Sequence, residues 1–145
     1  FSGPDYVSSA FERKQGYLKG MNEAGIPVKD LIIPCGITID EKMDTLIKTT
    51  LNCRKKFDAI FTYNDIIAFR IIRIARQLCQ DIPDIIGYDN IQSKIDFGFD
   101  IPSVNIYKTL MAEKATARLF SRIRHEIKPE EHLNEVVPVD LYVKE

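Results

Sequence analysis

Polar side chains follow two of the predicted strands and lie on the first predicted helix. Asn64 comes shortly after one apolar run, and Asp89 comes shortly after the next. Ser9 and Arg13 are one helical turn apart, so both face one side of their helix. In open α/β sheets, ligands bind beyond the carboxyl ends of the strands. A hydroxyl, a guanidinium, an amide and a carboxylate at one such edge would suit a small polar ligand.

The sequence lacks the motifs that mark common enzyme and cofactor sites. It contains no GxGxxG or GxxxxGK[ST] phosphate loop, no GxSxG elbow and no HExxH helix. His125 and His132 are the only histidines and lie in a charged region. Cys35, Cys53 and Cys79 have no CxxC spacing, so we expect buried, reduced, structural thiols. We therefore predict a protein that is not an enzyme, with no catalytic residue, no metal site and no cofactor.

The composition is that of an ordinary globular domain. The chain has 145 residues, 45% of them hydrophobic and 28% charged, and its formal net charge is −1. This balance argues against a disordered tail and against a cationic nucleic-acid module. No apolar run reaches the roughly 20 residues of a membrane span. There is no initiator Met and no signal peptide, and residues 1–4 resemble the end of a strand, so we expect a fragment of a longer protein.

Short apolar runs alternate with segments of helical spacing. Helices are predicted from Ser8 or Ser9 to about Ala24, from the cap residue Asp40 to Leu51, from Asn64 to Leu78 and from Lys108 to about Ile123. Strands are predicted at residues 31–35, 57–62, 84–88, 103–106 and 136–143, the last at a sheet edge because it contains Pro138. This alternation indicates βαβ units, and hence an α/β fold with a mostly parallel sheet.

Three blocks of the sequence resemble the LacI/GalR family of transcriptional regulators. Gly3-Pro4 with residues 13–17 (RKQGY) is similar to the family's "GP … RxxGf" block. Residues 57–68 (FDAIFTYNDIIA) are similar to "DAIFxxNDxxA", and residues 82–90 (IPDIIGYDN) are similar to "IPxDIxxxGyDN". The blocks occur in the family's order and span most of the chain, so together they are a specific signal.

The resemblance implies a type I periplasmic-binding-protein-like lobe, a three-layer sandwich, present as a fragment. Residues 1–106 would form the C-terminal lobe of the effector-binding domain. Residues 107–126 would form a helix that crosses to a missing N-terminal lobe, and residues 127–145 a charged loop and a closing strand. Pro83 and Gly87 are closer together than in the family pattern, which implies a shortened strand or residues missing from this sequence.

The resemblance also implies which residues bind the effector. The implied ligand-binding residues are Arg13, Asp89, Asn64, Ser9, Ile37 and Ile106. The residue types alone leave other interpretations open. The three short polar residues are favoured helix N-caps, the arginine suits a solvated helix face, and the two isoleucines suit a core. Lys108 is a weaker candidate, and Asp65 is interpreted as a capping or lobe-contact residue.

A homodimer is the second implication of the resemblance. Phe69, Ile72 and Phe97 fall where the family has its dimer face. The helix predicted after Asn64 also carries more apolar surface than one sheet face requires, and an exposed apolar patch marks an interface. Packing within the core of one chain is the alternative for all three residues.

The function that these observations favour is that of a ligand-sensing and dimerisation domain of a cytoplasmic LacI/GalR-type regulator. Its effector would be a sugar or sugar phosphate, with a nucleobase as an open alternative. The effector would control binding to operator DNA by an absent helix-turn-helix headpiece. An exported, monomeric periplasmic or lipoprotein sugar-binding protein of a transporter is the main alternative. An α/β enzyme is the third and has the least support.

Overall fold

Helices and strands alternate along the chain as the apolar pattern predicts. The computed structural model describes residues 1–28, 31–53, 57–128 and 134–143, and within these ranges it contains four α-helices and four strands. The helices are α1 (Ser8–Glu23), α2 (Glu41–Leu51), α3 (Asp65–Gln77) and α4 (Lys108–Ile123). The strands are β1 (Ala59–Phe61), β2 (Asp84–Tyr88), β3 (Ser103–Ile106) and β4 (Val139–Tyr142). A 3₁₀ turn, Ile91–Ser93, follows β2.

The four strands form one sheet in the order β1-β2-β3-β4. The pairs β1–β2 and β2–β3 are parallel, and Ile60 lies opposite Ile85. β4 is antiparallel to β3, with Ile106 opposite Val139. The mostly parallel sheet is therefore confirmed. β4 is the last strand in this order, as Pro138 predicts.

The first two residues continue the hydrogen bonding of the sheet beyond β1. The carbonyl of Phe1 accepts a hydrogen bond from the N–H of Tyr63 at 3.0 Å. Ser2 forms a parallel bridge with Pro34, and its carbonyl accepts the N–H of Cys35 at 2.8 Å. Within the described residues, the strand predicted around Cys35 is thus reduced to this bridge.

Helices cover both faces of the sheet. Tyr17 of α1 stacks on Phe61 of β1, with ring centroids 5.9 Å apart and an interplanar angle of 3°. Because side chains alternate along a strand, the neighbouring Ile60 points to the opposite face. On that side α3 packs against β2, and α2 packs against α3. The result is the three-layer α/β sandwich predicted from the resemblance.

The third helix forms the centre of the core. Its buried apolar residues are Ile67, Ala68, Phe69, Ile71, Ile72, Ile74 and Ala75. From the sequence we predicted that part of the apolar surface of this helix would contact a partner chain in a homodimer. Instead, α2 and the phenylalanines of residues 97–99 cover it within the same chain. The buried apolar residues of this helix are therefore covered within the chain, whereas Ile66 near its start is 51% exposed.

The fourth helix differs from the third because none of its side chains, all of them within the described residues, is buried. Its exposed apolar residues are Leu110, Met111, Leu119, Phe120 and Ile123. β4 likewise exposes Val139 and Leu141. The end of the chain thus carries a large apolar surface that the described residues leave uncovered.

The helix termini test several interpretations of single residues. The side chains of Asp40 and Asn64 each accept a hydrogen bond from the N–H three residues later, at 2.9 and 3.1 Å, so both predicted caps are confirmed. The N-cap of α1 is Val7, without a side-chain hydrogen bond. The cap interpretation of Ser9 is therefore wrong, because Ser9 already lies inside the helix. Gly25 follows α1 at φ +68°, the left-handed conformation that suits a helix end.

The β2 strand resolves the unusual spacing between Pro83 and Gly87. The strand begins at Asp84, directly after Pro83, and runs without interruption to Tyr88. Its first residue pairs with Ala59 of β1. The short spacing therefore still leaves a five-residue strand directly after Pro83.

The cysteines are free thiols, but only Cys35 is buried, and burial raises its pKa. Cys53 and Cys79 are exposed, so the prediction of three buried cysteines is wrong for these two, which follow the ends of α2 and α3. His125 is exposed, as expected, and His132 lies outside the described residues. In the described part of the chain, no helix has the length and hydropathy needed to span a membrane, and no three metal-binding side chains are grouped.

Candidate ligand-binding site

Two residues that the resemblance assigns to the ligand meet at the carboxyl edge of the sheet. Nη2 of Arg13, on α1, lies 3.0 Å from Oδ1 of Asp89, which directly follows β2. Nη1 of Arg13 donates to the carbonyl of Tyr63 at 2.6 Å. The guanidinium also lies on the ring of Tyr88, with its carbon 3.8 Å from the ring centroid. Contacts with the end of β2 and with the residues after β1 therefore fix the side chain of Arg13.

The Arg13–Asp89 pair keeps bonding capacity toward solvent. Its side chains are 16% and 22% exposed. The second carboxylate oxygen of Asp89 forms no hydrogen bond with the described residues, nor does the hydroxyl of Ser9 one turn earlier on α1. Lys108 donates to the carbonyl of Asp89 at 2.9 Å. A carboxylate that accepts and a guanidinium that donates can together bind neighbouring hydroxyl groups of one ligand.

An open groove of about 790 Å³ begins at this edge and continues along α1. At the edge it is lined by Ser9, Arg13, Tyr88 and Ile106, three of which are predicted site residues. Further along, its lining is mainly apolar and includes Tyr17 and residues of β1, β3 and β4. The structure therefore brings Ser9, Arg13 and Ile106 to one surface. Asp89 lies next to this surface because it forms an ion pair with Arg13.

The other two predicted pocket residues are not part of this groove. The side-chain oxygen of Asn64 is used as the N-cap of α3, bonded to the N–H of Ile67. Ile37 lies in the loop before α2, 58% exposed, and does not line the groove. Among the described residues, the side chain of neither Asn64 nor Ile37 forms a hydrogen bond with Arg13 or Asp89.

The backbone at the end of β2 has an unusual conformation. Asp89 has φ +99° and Asn90 has φ +46°, both in the region that residues with a side chain rarely adopt. The N-cap of the following 3₁₀ turn is Asn90, and it makes no side-chain capping bond. The alternative interpretation of Asp89 as a helix cap is therefore wrong, because its carboxylate pairs with Arg13 instead. Such strain is concentrated at functional sites.

A buried carboxylate lies close to this edge. Asp65, the first residue of α3, is 0% exposed and accepts hydrogen bonds from the hydroxyl of Ser103 at 2.6 Å and from the N–H of Ile91 at 2.7 Å. Burial raises the pKa of its carboxyl group. The sequence predicts Asp65 as a capping or lobe-contact residue. The cap of α3 is instead Asn64, and the contacts of Asp65 with Ser103 and Ile91 were not predicted.

Two aromatic residues of the site are also missed by the list of predicted ligand contacts. Tyr88 supports the guanidinium of Arg13 with its ring, and Tyr63 accepts one of its hydrogen bonds. Burial raises the pKa of the Tyr63 hydroxyl. A usable signal is present in the sequence, because both tyrosines directly precede the polar residue at a strand end.

Two of the residues predicted at a dimer face, Phe69 and Phe97, belong to one aromatic cluster. Phe69 stacks on Phe97, with ring centroids 3.9 Å apart, and contacts Phe99 edge-on at 5.3 Å. Phe69 is 6% exposed and Ile72 is 4% exposed within the single chain, whereas Phe97 is half-buried. The neighbouring Ile95 is 53% exposed. Of the predicted residues, only Phe97 reaches the surface.

Comparison with known proteins shows the protein family to which the chain belongs. Residues 1–145 match the periplasmic binding protein-like domain, and the chain belongs to this family. The repressor PurR of Mannheimia succiniciproducens is 29% identical over 121 residues, which cover 81% of this chain and 36% of that protein. The chain thus spans about a third of the length of this curated relative. The relatives are transcriptional repressors, which agrees with the prediction of a protein that is not an enzyme.

Solved structures show the same fold. The regulator CelR in complex with cellobiose has a TM-score of 0.82 and 23% identity, over 99% of this chain and 44% of that one. A LacI-type protein of Alkaliphilus metalliredigens QYMF in complex with D-xylulofuranose has a TM-score of 0.75 and 22% identity, over 99% and 53%. The type I periplasmic-binding-protein-like architecture is thereby confirmed. The resemblance to LacI/GalR regulators is supported by the match to the repressor PurR.

Proposed function

We propose that the chain is the ligand-sensing part of a LacI/GalR-type transcriptional regulator and that its effector binds at the Arg13–Asp89 pair. The observation that carries this proposal is the pair itself. It joins α1 to the end of β2, at the sheet edge where open α/β sheets bind ligands. Ser9 and Ile106 complete this side of the site, and Asn64 and Ile37 contribute less, because neither lies in the groove.

An uncharged sugar is the effector class that suits this edge best. The charge of Arg13 is already balanced by Asp89, so the pair offers hydrogen bonds rather than a free cation. The ring of Tyr88 adds apolar surface beside it. The ligands named for the two structural neighbours, cellobiose and D-xylulofuranose, are of the same class. A sugar phosphate would rely on Lys108, the exposed cation beside the pair.

Residues 107–126 cross to a second lobe in this proposal. The support is the uncovered apolar side of α4, with Leu119 58% exposed and Ile123 61% exposed, in a chain whose match covers about a third of its curated relative. The effector would lie between the lobes and favour one lobe arrangement over another. It can shift that equilibrium only by its difference in affinity for the two arrangements. The shift would reach operator DNA through a headpiece outside this chain.

A homodimer is part of the same proposal, with a revised contact surface. Phe97 and the exposed Ile95 would meet the partner, and Phe69 and Ile72 would support them from within the core. The cation–aromatic contact between Arg76 and Phe99, at 4.2 Å, holds the same segment in place.

A regulator of this kind would act in the cytoplasm, whereas a transporter's sugar-binding protein would be exported. Sequencing the intact native polypeptide upstream of Phe1 by mass spectrometry distinguishes the two. A helix-turn-helix segment followed by another α/β lobe is the expected result. A cleaved signal segment or a lipid-modified cysteine would replace this proposal with the transporter function.

The effector class is tested by calorimetric titration of the protein with a small panel of probes. Cellobiose, D-xylulose and D-ribose represent uncharged sugars, glucose 6-phosphate represents sugar phosphates, and hypoxanthine represents nucleobases. We expect binding from the uncharged sugars. Binding of glucose 6-phosphate alone would contradict the charge argument, and binding of hypoxanthine alone would contradict the sugar proposal.

A further inference from the structure

One buried hydrogen-bond network holds the two residues that follow Asp89. Oδ1 of Asp65 accepts from the hydroxyl of Ser103 at 2.6 Å, and Oδ2 accepts from the N–H of Ile91 at 2.7 Å. The hydroxyl oxygen of Ser103 in turn accepts from the N–H of Asn90 at 3.0 Å. Asp65 and Ser103 are both 0% exposed, so these bonds form without competition from solvent.

The same carboxylate also packs against the strand before Asp89. A Cβ atom at Gly87 would lie 2.0 Å from Oδ1 of Asp65, so the carboxylate occupies the space in which a side chain would stand. Asp65 therefore contacts the chain on both sides of Asp89, two residues before it and two residues after it.

The segment that Asp65 and Ser103 hold contains the two residues with unusual backbone conformations, Asp89 and Asn90. Asp89 at φ +99° and Asn90 at φ +46° depart from the conformations that residues with a Cβ prefer. Such conformations persist only where the surrounding structure imposes them. The hydrogen bonds from Asn90 and Ile91 to the Ser103–Asp65 pair supply that constraint.

We infer that Asp65, acting with Ser103, is a positioning residue that fixes the backbone of Asp89 so that its carboxylate meets Arg13. The consequence for ligand binding rests on the proposed function, whereas the consequence for the backbone stands without it. Two experiments therefore separate a failure of this inference from a failure of the proposed function.

The first experiment measures amide hydrogen exchange by NMR in wild-type protein and in the Asp65→Ala variant. We expect the amides of Asn90 and Ile91 to exchange at least tenfold faster, relative to the core amide of Ile71, because their acceptor network is lost. Expressing the exchange rates relative to Ile71 corrects them for any change in the global stability of the protein. Asp40→Ala is the matched control, since it also removes an aspartate at a helix N-terminus but leaves residues 87–91 untouched.

Unchanged relative protection of Asn90 and Ile91 in Asp65→Ala would overturn the inference. If that variant does not fold, Ser103→Ala removes the link to Asn90 and the hydrogen bond to Oδ1 of Asp65 but leaves the bond from Ile91 to Oδ2, and faster exchange of the Asn90 amide is then the expected result. Unchanged exchange at Asn90 in Ser103→Ala would equally overturn it.

The second experiment measures the affinity for whichever of cellobiose, D-xylulose or D-ribose binds the wild-type protein. We expect Asp65→Ala to weaken binding at least fivefold, and to add no further loss in an Asp89→Ala background, because Asp65 acts through Asp89. An equal loss in both backgrounds would show a general effect on the fold and contradict the inference. If no sugar binds wild type, the sugar proposal fails, and hydrogen exchange alone decides the role of Asp65.

Discussion

Arg13 and Asp89 are 76 positions apart in the sequence, yet Nη2 of one lies 3.0 Å from Oδ1 of the other. The contact ties the first helix to the end of the second strand of the sheet. Because Tyr63 and Tyr88 also hold the guanidinium, its donors point in fixed directions before a ligand arrives. Preorganisation of this kind lowers the entropic cost of binding.

The first prediction concerns this pair. Arg13→Ala and Asp89→Ala should each weaken sugar binding at least tenfold, because losing a hydrogen bond to a charged group costs about 1.5–3 kcal/mol. Calorimetry measures the affinity, and circular dichroism checks that both variants fold. Lys19→Ala, at an exposed position of the same helix, is the matched control.

The double variant sharpens this test. The two losses should not add, because each residue orients the other. Unchanged affinity in both single variants would remove the pair from the binding site.

The second prediction concerns the packing of Gly87 against Asp65. Gly87→Ala should destabilise the protein by about 1–3 kcal/mol, since the new methyl group overlaps a buried carboxylate held by two hydrogen bonds. Urea denaturation measures the free energy of unfolding. Gly20→Ala is the control: a Cβ there meets nothing within 4 Å, so it should stabilise α1 by up to about 1 kcal/mol. Equal effects of the two changes would contradict this interpretation of Gly87.

The third prediction concerns the oligomeric state. Wild-type protein should sediment as a dimer, and Phe97→Asp should sediment as a monomer, because a charge would be placed in an apolar contact. Ile95→Asp should have the same effect without disturbing the stack on Phe69, since Ile95 is 53% exposed. Ile26→Asp, at an exposed apolar residue after α1, should remain dimeric. A wild-type monomer, or a dimer in both of the first two variants, would remove residues 95–97 from the interface.

The fourth prediction concerns pH. Arg70 of α3 binds Asp44 of α2 through two hydrogen bonds, one of them 2.7 Å long, and these bonds lower the pKa of Asp44. A carboxyl group whose pKa is lower in the folded state stabilises the fold at higher pH, and this contribution is lost as the carboxyl becomes protonated. The stability difference between wild type and Asp44→Asn should therefore be largest at neutral pH and should shrink as the pH falls from about 5 toward 2.

Chemical denaturation of both proteins across this pH range measures that difference. Glu23→Gln is the control, because the Lys19–Glu23 pair is exposed and 3.9 Å apart, and such surface pairs contribute little. A difference for Asp44→Asn that stays constant with pH would show that the ion pair does not contribute through its charge.

Local sequence signals predicted much of the fold. The bounds of β3 agree with the prediction residue for residue, and α4 begins at the predicted Lys108 and ends at Ile123, about where it was predicted to end. The caps formed by Asp40 and Asn64 were also predictable, because an aspartate or asparagine before a helical pattern is a strong start signal. The meeting of Arg13 and Asp89 at one edge followed from the family resemblance together with the rule for parallel sheets.

Contacts between distant parts of the chain were not predictable in this way. The cover that Phe97 provides for Phe69 depends on the path of a loop, which periodicity does not encode. Asp65 has the residue type of a cap, and only the fold shows that β2 and β3 enclose its carboxylate. The exposure of Cys53 and Cys79 likewise depends on their positions after helix ends, where the core does not reach.

The most direct test of the ligand site is a map of amide chemical-shift changes as the uncharged sugars are added to isotope-labelled protein. This NMR measurement detects even weak binding, which is what one side of a cleft would show. We expect concentration-dependent shifts of the amides of Ser9, Arg13, Asp89 and Ile106, and no shifts in residues of α2 such as Met43. Shifts confined to α2, or none with any sugar in the millimolar range, would contradict the proposed ligand site.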